Sequence, residues 1–66
     1  DVNGAEAVRV LQRLGFEVQR QTGSHLILRR EGRRVVVPQR KPLKPGTLKG
    51  ILEQADVSVG EFVAQL

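Results

Sequence analysis

FEVQRQTGSHLILRREGRRVVVP, residues 16–38, decides the fold. From Phe16 onward the apolar positions recur every second residue, in three short segments separated by Thr22-Gly23-Ser24 and by Glu31-Gly32. Period-two patterning broken by glycine-bearing turns predicts a three-stranded antiparallel meander. A two-residue turn at Glu31-Gly32 sets Leu28 opposite Val35, Leu26 opposite Val37 and His25 opposite Pro38. A three-residue loop from Thr22 to Ser24 sets Val18 against Leu28 and Gln19 against Ile27. One face then gathers Phe16, Val18, Leu26, Leu28, Val35 and Val37 as the core side. The other gathers Glu17, Gln19, Gln21, His25, Ile27, Arg29, Arg34 and Val36, and is expected to stay open. A bulge at the first loop would slip the first strand by one residue and exchange its two sides.

Helical patterns flank this segment. Ala7, Val8, Leu11 and Leu14 share a helical face within Ala5–Leu14, with Arg9, Gln12 and Arg13 opposite. Asn3 followed three residues later by Glu6 reads as a capping box, and Gly15 as the residue that ends the helix. Pro45, Leu48, Ile51, Leu52 and Ala55 restore the helical period, with Pro45 suited to the first turn. Val57, Ser58, Glu61 and Phe62 fit a capping box with a hydrophobic staple, so a short third helix is expected to start at Ser58. The expected fold class is α+β: α-β-β-β-α, a three-stranded antiparallel sheet packed on two helices, plus a short C-terminal helix. Neither a repeat nor a linker divides the sequence, so residues 1–66 are expected to form one domain.

Composition bounds the possibilities. With 39% apolar and 27% charged residues the chain is that of a folded domain rather than a disordered tail. At 66 residues its core must be thin. The absence of cysteine excludes disulfides and thiolate chemistry. No apolar run approaches the ~20 residues of a membrane span and no signal-peptide pattern opens the sequence, so a cytoplasmic protein with no membrane partner is expected. Asp1 in first place and the lack of Met lead us to expect a few residues ahead of it. The formal net charge is +4, but the asymmetry is larger. Between Arg20 and Lys49 stand nine Lys or Arg and one acid, Glu31; the remainder holds two bases and six acids. The middle therefore carries +8 and the rest −4. Such clustering favours a polyanion through phosphate neutralisation and counterion release, and is equally the look of a solvated basic face. Phe16 and Phe62 are the only aromatics and read as core, so bases would not be held on a stacking platform.

The one histidine, His25, follows Gly23 and Ser24 at the start of the second strand. A lone histidine is ordinarily structural or merely exposed. Its place after a tight turn, on a face expected to be open, in a basic segment, argues for more. An imidazole exchanges protons near neutral pH, as RNA cleavage through the RNA's own 2′-hydroxyl requires. That chemistry needs a base, an acid and cations near the phosphorane, and no metal or other cofactor. Arg34, Arg40, Lys41 or Lys44 could neutralise the developing charge. A metal site lacks gathered ligands, because the acids are scattered over helices and turns. Ser24-His25 is not a nucleophile–base pair, because adjacent strand residues point to opposite sides. Pro45-Gly46-Thr47 opens a helix whose N–H groups could hold a phosphate; alone this is weak, and it gains interest from Lys44, Lys49 and the basic loop from Gln39 to Lys44.

Leu14-Gly15-Phe16, Arg20-Gln21-Thr22-Gly23-Ser24-His25, Val37-Pro38 and Leu43-Lys44-Pro45-Gly46-Thr47-Leu48 occur in the order and spacing of the HicA family, also described as YcfA-like, which the chain resembles from about Gly4 to Phe62. The resemblance implies a double-stranded-RNA-binding-domain-like fold, mRNA cleavage as the toxin of a toxin–antitoxin pair, and a HicB-type antitoxin that covers the active site. It implies that His25, in Gly-Ser-His, is the catalytic histidine. One departure stands out: many members carry histidine two residues after Val-Pro, where this sequence has Arg40. A guanidinium stays protonated and is a poor proton shuttle. The expected site has His25 as acid–base catalyst, Arg29, Arg34, Arg40, Lys41, Lys44 and Lys49 on RNA phosphates, and Gly23 and Ser24 shaping the turn. The competing readings are a non-catalytic RNA-binding module, a degenerate toxin that keeps only antitoxin binding, and a domain whose basic surface meets an acidic protein.

Overall fold

The computed structural model describes residues 2–66, ordered as α1 (Gly4–Arg13), β1 (Glu17–Thr22), β2 (His25–Arg30), β3 (Arg33–Pro38), α2 (Pro45–Ala55) and α3 (Val59–Ala64). This is the α+β order the sequence predicts, with the first helix bounded one residue earlier at each end. The boundaries have local causes. Asn3 caps α1, and its backbone N–H donates to Glu6 Oε1 at 2.9 Å, the returning half of a capping box. Pro45 occupies the first turn of α2, where a missing N–H leaves no helical bond unmade. Ser58 and Glu61 start α3 reciprocally: the Glu61 N–H donates to Ser58 Oγ at 3.0 Å, and the Ser58 N–H to Glu61 Oε1 at 2.9 Å.

The three strands form one antiparallel sheet in the order β1-β2-β3. Between β2 and β3 the pairing runs from His25↔Pro38 to Arg30↔Arg33, as the two-residue turn predicts. Glu31 and Gly32 both have positive φ, 49° and 82°, the signature of the type I′ turn that matches sheet twist.

The β1–β2 hairpin departs from expectation. Its turn is Gly23-Ser24 alone, because Thr22 pairs with His25. Gly23, at φ 59°, takes the positive φ and Ser24 does not, the pattern of a II′ turn with glycine first. The odd residue is absorbed inside the strand: Val18 pairs with Leu28, the next pair is Arg20↔Ile27, and Gln19 bulges between them. Since cross-strand partners share a face, Arg20 joins the face of His25 and Ile27, while Gln21, opposite Leu26, moves to the helix side. Gln21 therefore leaves the open face to which a regular strand would assign it, Gln19 is left unpaired at the bulge, and Arg20 joins the open face.

Both long helices cover one side of the sheet. Ala7, Val10 and Leu11 of α1, Leu28, Val35 and Val37 of the sheet, Ile51 and Ala55 of α2, and Phe16 and Phe62 form one buried cluster. Val18, expected in this core, is instead 38% exposed, on a strand whose residues are all exposed. Two contacts lock the layers at the end of the sheet where β3 runs into α2. The Gly4 N–H donates to the Arg40 carbonyl at 2.9 Å and the Leu43 N–H to the Val2 carbonyl at 2.8 Å. Glycine is required at position 4, where a Cβ would stand 2.3 Å from the Pro38 carbonyl oxygen. At the outer edge, Gln54 Oε1 accepts from the Val36 N–H at 3.2 Å, and so blunts an edge that would otherwise invite strand pairing.

Candidate functional site

The face of the sheet turned away from the helices carries Glu17, Arg20 and Thr22 from β1, His25, Ile27 and Arg29 from β2, and Arg34, Val36 and Pro38 from β3, as the pairing requires. His25 is exposed at one end of this face, with Thr22 on one side and Pro38 on the other. The turn that presents it is held at both shoulders. Gln21 Nε2 donates to the Gly23 carbonyl at 2.9 Å, and the Gln39 N–H to the Ser24 carbonyl at 2.7 Å. The second bond prolongs the β2–β3 ladder by one step, bringing the segment after β3 alongside His25. Gly23 and Ser24 thus shape the turn that positions the imidazole.

The cations divide into three groups. Arg29 and Arg34 lie directly opposite each other on the open face, about 13 Å from His25 at roughly 3.3 Å per strand residue. Like charges directly opposed in a sheet destabilise it, and an anion lying across them would remove that cost. Arg40 and Lys41 are exposed in the segment that Gln39 and Gly4 tie to the His25 end of the sheet. Lys44, the N-cap of α2, lies at the far end of that segment.

Two other arginines in the basic stretch serve the fold. The Arg30 guanidinium lies 4.6 Å from the centroid of the Phe16 ring and donates to the Leu14 carbonyl. Arg33 donates to the Gln54 carbonyl at 3.3 Å and pairs with Asp56 at 3.6 Å. Lys49 is set apart from His25: it lines a groove of about 860 Å³ between α2 and α3, with Leu48, Leu52 and Phe62, on the helical side. The acids Glu53, Asp56 and Glu61 rim the same groove. Basic sheet and acid-rimmed helices thus face opposite ways.

Arg20 is the functional candidate that strand alternation misses. The four residues after Val18 are Gln19, Arg20, Gln21 and Thr22, all polar, so no apolar side chain marks which of them turn toward the core. Among the described residues no group of three or more His, Cys, Asp or Glu side chains is placed to hold a metal ion, and no helix is long and apolar enough to cross a membrane.

A protein-family profile described as the HicA toxin of bacterial toxin-antitoxin matches residues 4–57. The chain belongs to the HicA toxin family. No curated protein matches it significantly. The matched span runs from the glycine that admits β3 against α1 to Val57, the buried residue that follows α2, and so takes in the whole sheet and the turn that presents His25. Membership makes the chain a component of a toxin–antitoxin system. In this HicA-family chain the position two residues after Val37-Pro38 is filled by the exposed Arg40, beside the Ser24-His25 turn.

Proposed function

We propose that this HicA-family chain is a metal-independent endoribonuclease that cleaves mRNA in the cytoplasm, with His25 as its acid–base group. The observation that carries the reading is an exposed imidazole at the end of an uncovered basic sheet face, on a turn fixed by the Gln39–Ser24 hydrogen bond. In the proposed reaction a ring nitrogen of His25 takes the proton of the ribose 2′-hydroxyl. The 2′-oxygen attacks the adjacent phosphorus and the bond to the 5′-oxygen breaks. The imidazolium returns its proton to that leaving oxygen. The products are a 2′,3′-cyclic phosphate and a 5′-hydroxyl, and no water, metal or redox partner is consumed. Arg40 and Lys41 flank the scissile phosphate and stabilise the charge of the phosphorane, while Arg29 and Arg34 hold the strand farther along the face. A HicB-type antitoxin inhibits by covering the His25 face.

The test compares the parent protein with His25→Ala on a long single-stranded RNA in the presence of a chelator. Cleavage by the parent and its loss in the variant support the reading; equal cleavage by both refutes it. Arg40 in place of a family histidine favours a second reading, a binder of RNA or antitoxin without turnover. That reading predicts salt-sensitive RNA binding by both proteins and cleavage by neither.

A further inference from the structure

We infer that Arg20 forms, with His25 and Thr22, a phosphate-binding subsite that anchors the nucleotide next to the one cleaved; the inference rests on the nuclease reading above. Three observations converge on Arg20. The first is register. Thr22 is the partner of His25 and Arg20 the partner of Ile27, so Arg20 is the diagonal neighbour of His25 and, on its other side, of Arg29. Diagonal neighbours on one face of an antiparallel pair stand ~7–8 Å apart, against the roughly 13 Å that four strand residues put between His25 and Arg29. Arg20 is thus the sheet-face cation placed closest to the imidazole. His25, Arg20 and Arg29 make a zigzag whose step suits neighbouring phosphates of an extended single strand.

The second observation is the bulge. In a regular strand Val18 and Arg20, two residues apart, would share a side. The extra residue Gln19 lets Val18 pair with Leu28 on the helix side while Arg20 pairs with Ile27 on the open side. Bulges recur next to active sites, where they re-aim a side chain, and this one re-aims the cation beside the candidate catalytic residue.

The third is what lies under Arg20. Ile27 is 6% exposed although it points away from the helices and stands outside the core cluster. Its cross-strand partners, Arg20 on β1 and Val36 on β3, are the neighbours placed to cover it. A long aliphatic stem laid over an apolar residue leaves the charged head at the surface with fewer ways to move, which lowers the entropy lost when it grips an anion. Arg20 also faces no acid across the strand pair, whereas Arg29 faces Glu17. Among the described residues the ion pair formed is Arg33–Asp56, on the helical side. Arg20 therefore keeps its charge for an incoming phosphate.

The experiment measures single-stranded RNA affinity against salt in a His25→Ala background, which binds without cutting, and cleavage kinetics in the parent background. Arg20→Gln is compared with the charge-preserving swap Arg20→Gln/Gln21→Arg, which returns a guanidinium to the helix side of the same strand, and with Arg9→Gln on α1 as control. Thermal unfolding confirms that each variant folds. The expected result is a loss of affinity of roughly tenfold in both Arg20 variants, and a salt slope reduced by about 0.7, the value for one phosphate contact on a single strand. KM rises, and Arg9→Gln matches the parent. A swap that binds RNA as tightly as its parent, or an Arg20→Gln effect no larger than that of Arg9→Gln, overturns the subsite. Undiminished cleavage by His25→Ala alone would instead remove the catalytic role given to His25, and the KM comparison in the parent background would still decide the role of Arg20.

Discussion

Arg29 and Arg34 occupy opposed positions on the uncovered face of the sheet, where like charges typically cost ~0.2–1 kcal/mol. Replacing one of them should therefore move stability and binding in opposite directions. Arg34→Thr, which also raises strand propensity, is expected to lift the urea midpoint and to weaken RNA binding, measured on the same preparation. Gly4 makes the reverse point. A Cβ there would stand 2.3 Å from the Pro38 carbonyl oxygen and 2.9 Å from Gln39 Cα, both backbone atoms that move only with β3 and the segment after it. Gly4→Ala should cost ~1–3 kcal/mol of folding stability, as overpacked sites do. It should also lower nuclease activity, because the backbone it displaces carries Arg40 and the Gln39 bond to Ser24. Denaturation and RNA cleavage of the one variant check both. At this scale the Gly-Ser turn puts His25 exposed at the start of β2, opposite Pro38, as the patterning predicts. Charge alone does not sort the other basic residues, since Arg30 and Arg33 turn to the helices and Lys49 to the α2–α3 groove.

Each element carries its own conditions. The Glu61 carboxyl is held below its ordinary value of 4.5, chiefly by the Ser58 backbone N–H and then by the Ser58 hydroxyl, with Arg30 adding a weaker attraction. A depressed carboxylate contributes stability that is complete above its unfolded value and is lost as pH falls through the folded one. The start of α3 should therefore hold at neutral pH and fray in acid below about 4.5, seen as faster exchange of the Glu61 and Phe62 amides. Ser58→Ala should cost ~1 kcal/mol at neutral pH and keep most of that pH dependence, because the backbone N–H that chiefly holds the Glu61 carboxyl down remains. The contrast between the two hairpins shows what strand patterning can convey. Every pair between β2 and β3 follows from a two-residue turn between apolar alternations, because Leu26, Leu28, Val35 and Val37 all need the same side. In β1 the alternation stops at Val18, and nothing after it demands burial. The position of the extra residue is then settled by Phe16 reaching the core at the head of β1 and by the tightness that Gly23 permits, which are tertiary facts. The same lost parity hides Arg20 from the sequence.

For the molecule as a whole, a 66-residue chain commands about 3–10 kcal/mol of stability at ordinary per-residue values. Leu28, fully buried in the central strand, touches the margin directly, since Leu→Ala in a core costs ~2–5 kcal/mol. Leu28→Ala should leave much of the chain unfolded at room temperature, read as loss of a cooperative thermal transition. The larger organisation is the separation of charge between the open sheet face and the acid-rimmed α2–α3 groove, which would orient the proposed polyanionic substrate toward His25 before contact. That orientation matters only if the imidazole performs the chemistry proposed for it. The most direct measurement is the end groups of RNA cut by the purified protein in excess chelator, with His25→Ala as its comparison. Fragments carrying 2′,3′-cyclic phosphate and 5′-hydroxyl ends, absent with the variant, are the predicted result. Fragments with 5′-phosphate and 3′-hydroxyl ends, or cyclic-phosphate ends formed equally well by the variant, would contradict it.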